Sequence, residues 1–351
     1  MERIASPFEE GSSMKGKEEL QPSEKVLSRL LTESPKEIRS VSGGANNRVW
    51  EVKTLQGKYL LKQYFRSPED SRDRFASEKA FYTLAQNKVK GKVPQVQAWD
   101  PEGEAGLFFW VEGRKLTEPE VTGARVQEAL EFFAALNRLP LPTLSDLPSA
   151  AEAAWTMCEH LDLVNRRIER LQQICGEDSE AKEARHLVRE RVIPAWERIF
   201  RKANQEWPEK GRGTHRATAC VSPSDFGFHN SLLGGDGRLR FFDFEYAGWD
   251  DPAKMAADFF CQPRVPAPAP EFPRVAALLT ELFPQDAEVA ERATSLWPVY
   301  RMKWICIMLN EFLPAGKTRR GFSLGEEAQI ELRRQRLLAV RDSLEKLNSI
   351  Q

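Results

Sequence analysis

Apolar residues recur at two different spacings along this chain, and the change from one to the other divides it. Between residues 38 and 111 they gather in short runs rich in branched and aromatic side chains: Val49-Trp50-Glu51-Val52, Tyr59-Leu60-Leu61-Lys62-Gln63-Tyr64 and Gly106-Leu107-Phe108-Phe109-Trp110-Val111. Such runs predict strands, and Gln56-Gly57 supplies a turn between the first two. Helical spacing predicts one helix over 70–87 among them, and a short one over 23–31 that Ser23 could cap.

Beyond Leu116 helical spacing takes over, with amphipathic stretches at 121–139, 150–174, 179–207, 274–282, 287–312 and 324–347. The exception is 216–248, where Ser231-Leu232-Leu233 is expected to pair with residues 238–243 across Gly234-Gly235-Asp236-Gly237. Val265-Pro266-Ala267-Pro268-Ala269-Pro270 reads as a stiff extended connector. The expectation is an α+β protein with a polar, flexible tail over 1–22. A small antiparallel sheet with a helix occupies 23–111, and a larger, mostly helical lobe 112–351.

Composition narrows the function classes. The 351 residues exceed the roughly 100–150 of one typical domain, which favours two lobes. With 51 Lys plus Arg against 52 Asp plus Glu, the net charge of -1 offers no field for nucleic acid or an anionic membrane. The start of the sequence lacks the pattern of a secretory or transit leader, and the apolar stretch from Trp304 to Leu309 falls far short of the ~20 residues that span a bilayer. A cytoplasmic protein without a membrane partner is expected. Five scattered cysteines with no Cys-x-x-Cys predict reduced, mostly buried thiols, with neither disulfides nor a zinc site.

Chemistry concentrates in Ser222-Pro223-Ser224-Asp225-Phe226-Gly227-Phe228-His229-Asn230, followed after the compact hairpin by Phe241-Phe242-Asp243-Phe244-Glu245. Asp225 and Asn230 are placed on a loop between strands, and Asp243 at the end of the strand that returns beside it. Hard oxygen ligands for magnesium, plus a separate carboxylate to orient a hydroxyl and take its proton, are what phosphoryl transfer needs. The bland alternative is that Asp225 and Asn230 cap turns and Asp243 ends a strand. The Asp-x4-Asn spacing with a later Asp matches the catalytic and metal loops of kinases.

On these residues the chain resembles the aminoglycoside phosphotransferase and choline kinase family, relatives of the protein kinases, whose loop reads His-x-Asp-x4-Asn followed by Asp-x-Glu or Asp-x-Asp. The resemblance implies a two-lobed protein-kinase-like fold and a kinase that uses ATP, or GTP in its place, with Mg2+ on a small-molecule hydroxyl acceptor. It makes Asp225 the catalytic base, Asn230 and Asp243 metal ligands, and Glu245 an aid at the metal. Gly248-Trp249-Asp250-Asp251-Pro252 and Asp258 extend the likeness. Pro223 stands where the family carries the histidine that braces the loop. That departure keeps open a second reading, a catalytically silent nucleotide-binding or interaction protein. Asp243 leads straight into Gly248-Trp249-Asp250-Asp251-Pro252 with no activation loop between, which disfavours a protein kinase.

The remaining parts are sought in the small lobe. In Ser42-Gly43-Gly44-Ala45-Asn46 the glycines would let backbone amides approach phosphate, with Ser42 or Asn46 adding hydrogen bonds, although a plain hairpin turn fits the same residues. Lys62 lies in a strand apolar on both sides and needs an anion. Glu78 falls on the arc of Phe75, Phe81, Tyr82 and Ala85 and so points inward. Together they match the lysine–glutamate pair by which kinases hold nucleotide phosphates. Trp110 and Val111 stand where such kinases place the hinge whose backbone meets adenine. His229 could touch substrate or phosphate but reads rather as solvent-facing or packed, and the stripe Trp297, Tyr300 and Trp304 as core rather than a cation-binding face, so both are left outside the site.

Overall fold

The computed structural model describes residues 21–41, 47–66, 72–143, 146–207, 218–314 and 326–348. The tail expected over 1–22 and the loop of Ser42, Gly43, Gly44 and Asn46 therefore lie, but for residues 21 and 22, outside the described residues. Two compact units organise the chain, one of Met1–Phe65 with Val96–Trp110, the other of Arg66–Gln95 with Val111–Gln351.

The first unit holds helix α1 (Glu24–Leu30) and strands β1 (Glu37–Ser40), β2 (Arg48–Lys53), β3 (Lys58–Gln63), β4 (Val96–Asp100) and β5 (Ala105–Phe109). The strands form one antiparallel sheet in the order β1-β2-β3-β5-β4. Ser23 caps α1 through a hydrogen bond from the Val26 amide, 3.3 Å. Thr54 closes the β2–β3 turn, its Oγ1 accepting from the Gln56 and Gly57 amides at 3.1 and 3.2 Å. Val26 and Leu30 of α1 pack with Trp50, Val52, Leu61 and Leu107, each large side chain contributing about 1.5–3 kcal/mol when fully buried. The sequence reading did not single out β1 and β4. They are the edge strands, and an edge needs fewer apolar positions than a strand flanked on both sides.

In the second unit α2 (Arg74–Lys88) is followed by α3 (Gly123–Asn137), α4 (Met157–Leu171), α5 (Ser179–Leu187) and α6 (Ile193–Glu206). The π-turn Val188–Val192 joins α5 to α6. It widens the helix just ahead of Pro194, which has no N–H to donate and crowds the preceding turn. Short strands β6 (Cys220–Ser222), β7 (Ser231–Leu233), β8 (Leu239–Phe241) and β9 (Gly248–Asp250) come next, then α7 (Pro252–Cys261), α8 (Phe272–Leu282), α9 (Val289–Leu309) and α10 (Glu326–Asn348). β7 pairs with β8, as the hairpin spacing predicted, and β6 with β9. α7 was not foreseen as a helix. All ten of its residues are buried, the charged Lys254 and Asp258 among them.

Three cysteines, Cys220, Cys261 and Cys306, are buried and Cys158 and Cys175 exposed, all of them free. Among the described residues no helix is long and apolar enough to cross a membrane.

Candidate functional site

In both chemistry-bearing segments, phenylalanines alternate with polar residues, and the phenylalanines anchor the loops. Phe226 lies 5.0 Å from Phe241 and 5.1 Å from Phe259, Phe132 lies 4.8 Å from Phe241, and Phe81 lies 4.3 Å from Phe244, centroid to centroid. This aromatic core fixes the backbone on either side of Asp225 and Asp243. The polar side chains between the anchors are held in place by packing they do not themselves provide.

The lead-in to Asp225 is braced without a histidine. Ser222 Oγ accepts from the Ser224 amide at 3.0 Å, and Ser224 takes a left-handed φ of 64°. Asn137, at the end of α3, grips the strand just before: its Oδ1 accepts from the Val221 amide at 2.8 Å, and its Nδ2 donates to the Val221 carbonyl at 3.1 Å. Ser222 and Asn137 thus brace the backbone on either side of Pro223.

Asn230 closes the 3-10 turn Phe228–Asn230, and its Nδ2 donates to the Asp225 carbonyl at 3.0 Å and to Asp225 Oδ2 at 3.4 Å. Its own carbonyl accepts from the Phe242 amide at 3.1 Å, which draws the segment carrying Asp243 alongside. Asp243 does not end the strand as expected. β8 stops at Phe241, and Asp243 lies two residues on with φ 69°, a left-handed conformation uncommon outside glycine that aspartate tolerates better than most residues. Backbone geometry of this kind gathers at functional sites.

His229 was set aside in the sequence reading, yet it is buried with Nε2 3.2 Å from Asp225 Oδ1. The pair is in close contact without the alignment of a hydrogen bond. Burial pushes the Asp225 carboxyl up, but His229, the Lys303 charge and the Asn230 amide outweigh it and leave it below its ordinary value. A carboxylate held ionised at neutral pH is the result.

Lys115 also escaped the sequence reading. Its Nζ donates to the His229 carbonyl at 2.7 Å and lies 4.2 Å from the centroid of the Phe242 ring. It therefore fastens together the residues that directly precede Asn230 and Asp243. Arg114 brings it there by exchanging backbone hydrogen bonds with Leu233 at 3.1 and 2.8 Å. Partial burial of its ammonium, with Arg264 repelling and Asp243 attracting, lowers Lys115 to about 8. Nothing in the pattern around Lys115 marked it, whereas Asn137, polar at the end of an apolar helix face, carried a weak signal.

Glu78 of α2 is buried, and its Oε1 accepts from the Phe244 amide at 3.0 Å. Glu245 is buried as well and lies 3.8 Å from Arg74 Nε, with Tyr246 close by. Lys62 is buried on β3 with Nζ 5.0 Å from the Tyr64 ring centroid. Opposite it stands Gly106, where any Cβ would collide with Trp99 and Phe108. Trp110 spends its amide on the Lys58 carbonyl, 3.1 Å, under the Lys58 ammonium, and Val111 is half-buried.

The donor set suits a magnesium ion. With its N–H groups turned to Asp225, the Asn230 amide has its carbonyl oxygen left to offer, and Asp243 adds a carboxylate. Among the described residues no three His, Cys, Asp or Glu side chains form a cage. Magnesium matches that economy because it keeps water and substrate phosphates as most of its ligands.

The sequence of residues 37–291 matches the family model described as "Phosphotransferase enzyme family". No curated protein matches the chain significantly. Among solved structures, a spectinomycin phosphotransferase in complex with ADP and spectinomycin superposes with a TM-score of 0.60 at 10% identity, over 91% of this chain and 96% of the other. The choline kinase of Streptococcus pneumoniae gives 0.54 at 13% identity, over 91% and 97%. The ethanolamine kinase of Plasmodium vivax gives 0.52 at 15%, over 89% and 84%. These likenesses show that the fold is of the two-lobed protein-kinase-like kind, with a small antiparallel sheet and a mostly helical remainder.

Proposed function

The chain belongs to the phosphotransferase enzyme family, and from that premise we propose that it is a cytoplasmic small-molecule kinase, transferring the γ-phosphoryl group of ATP to a hydroxyl. The observation that carries the reading is the hydrogen-bonded set Asp225, Asn230 and Phe242–Asp243. It joins one ionised carboxylate to a pair of hard oxygen donors on braced backbone.

In this reading residues 23–111 serve the nucleotide, with Lys62 and the 42–46 loop toward its phosphates and Trp110 and Val111 toward its base. Residues 112–351 carry the catalytic loop and the acceptor pocket. Asp225 orients the acceptor hydroxyl and takes its proton as the oxygen bonds to phosphorus and ADP leaves. Asn230 and Asp243 would hold Mg2+, which supplies charge neutralisation on the phosphates when bound. Glu78 and Glu245 support the metal loop, one through the Phe244 amide and the other against Arg74. Positioning and electrostatics provide most of the acceleration in such chemistry, and braced loops are suited to both.

Thermal unfolding with ATP and with GTP, each with and without Mg2+, tests the reading. Nucleotide at 100-fold above its Kd stabilises by about 2.7 kcal/mol. A Mg2+-dependent rise in Tm that Asp243→Ala abolishes is expected. No shift with either nucleotide sinks the proposal.

A further inference from the structure

α9 brings one cation, Lys303, to bear on Asp225, and a second, Arg301, to the end of α7 beside Cys261. Lys303 acts on Asp225 and is matched by Asp258, whose two oxygens take Lys303 Nζ at 2.5 Å and Trp304 Nε1 at 2.8 Å. Glu152 is matched by Arg167. Asp258 and Glu152 are therefore committed.

Several cations are not. Arg301 stands on the same helical stripe as Trp297 and Trp304, and its Nε is buried without a hydrogen-bond partner. The stripe faces the end of α7, where Cys261 Sγ donates to the Trp297 carbonyl at 3.4 Å and Phe260 meets the Trp297 ring at 5.9 Å. Gln262, the next residue, comes to 3.7 Å from a Cβ built on Gly227, so this end of α7 abuts the Asp225–Asn230 loop. Arg264 follows, exposed, and its charge reaches Lys115. Among the described residues no carboxylate forms a salt bridge with Arg264 or Arg301. A buried guanidinium nitrogen without a partner is costly unless a ligand completes it.

Given the kinase reading above, we infer that the acceptor is an anion, a hydroxy compound bearing a carboxylate or a phosphate ester, held by Arg301 with Arg264 so that its hydroxyl meets Asp225. An ammonium acceptor would face repulsion here. The amino alcohols named for the choline and ethanolamine kinases of similar fold would be disfavoured.

ADP release by the full-length protein with ATP and Mg2+ would be measured against three groups of hydroxyl compounds. These are anions (glycerate, gluconate, glycerol 3-phosphate), neutral polyols (glycerol, glucose) and amino alcohols (ethanolamine, choline). At least one anion is expected to exceed every neutral or cationic compound in kcat/KM by about tenfold or more, the scale of a charge-assisted hydrogen bond, and the carboxylate and phosphate members separate the two anion types. Arg301→Gln should raise the KM for that acceptor by a similar factor and leave the KM for ATP unchanged, with Arg301→Lys recovering part of the loss. Exposed Arg264→Gln should raise the acceptor KM without touching the fold. Preference for an amine or a neutral polyol, no turnover of any anion by a protein that binds Mg2+–nucleotide, or an equal rise in the KM for ATP would overturn the inference. Absence of Mg2+–nucleotide binding would instead overturn the kinase reading beneath it.

Discussion

Glu78 accepts the backbone N–H of Phe244 at 3.0 Å, so an acid on α2 fixes the residue that follows Asp243. Glu78→Ala would leave that amide buried without a partner, at a cost of about 1–3 kcal/mol. Glu78→Gln keeps an acceptor oxygen and should retain most of the stability. Denaturant unfolding of the two variants separates them, and equal losses would show that the hydrogen bond is not what stabilises the loop.

Asp225→Asn preserves an oxygen acceptor for Asn230 Nδ2 but removes the base. Turnover should fall by about 10²–10⁴, the usual contribution of general base catalysis, while Mg2+–nucleotide binding persists. Calorimetric titration beside single-turnover phosphate transfer checks both halves. Retained turnover would take the role of base away from Asp225.

Gly227 is required by His229. A Cβ at position 227 would sit 2.8 Å from His229 Nδ1 and 3.1 Å from Cε1, so in Gly227→Ala the imidazole must leave its place beside Asp225. A shift of about 1 Å at a reacting group costs on the order of 10²-fold in rate. The predicted result is a lower kcat with nucleotide affinity unchanged, and wild-type kcat would make His229 a bystander.

How much of this was legible in the sequence depends on the range of the interactions. That Asp225, Asn230 and the segment of Asp243 come together could be read because the hairpin between them is local, as the β7–β8 pairing bears out. Glu78 was read as inward-pointing from helical periodicity, and it is buried. Its partner Phe244 lies 166 residues away, a relation no spacing encodes. Asn137 and Lys115 reach the site across 84 and 114 residues, and Lys303 likewise comes from far along the chain. The grip of Asn137 on Val221 was equally invisible, since it needs the fold to bring α3 against β6.

Asp251 gathers Arg292 Nε at 2.9 Å, Arg292 Nη2 at 3.0 Å and His160 Nε2 at 3.2 Å in a fully buried network, and it caps α7 through the Ala253 amide at 2.9 Å. Burial alone would raise its carboxyl, but His160 and Arg292 hold it far below the ordinary carboxylate range. A depressed carboxylate stabilises above its unfolded value of about 3.9, and that contribution drains away as pH falls below it toward the folded value. Asp251→Ala leaves Arg292 held by Asp286 alone, at 2.6 Å, and removes the α7 cap and the His160 partner, and should cost about 1–3 kcal/mol at neutral pH. Its unfolding free energy should also fall less steeply than wild type below pH of about 4. Parallel acid limbs in the two proteins would contradict the assignment.

Lys115 gives the kinase reading an alkaline limit. The ammonium sits near 8, lowered by burial and Arg264 and only partly restored by Asp243, so it is charged below that pH and loses its proton above it. The protonated form donates to the His229 carbonyl and lies against Phe242, joining the two loops that carry Asn230 and Asp243. Deprotonation weakens that charge-assisted link. kcat/KM should therefore decline through pH of about 8, since this ratio reports the groups of the free enzyme. Lys115→Met should lower kcat/KM at pH 7 and flatten the alkaline limb, because the titrating group is gone. A limb unchanged in Lys115→Met would assign it to another group and leave Lys115 without a part in holding the loops together.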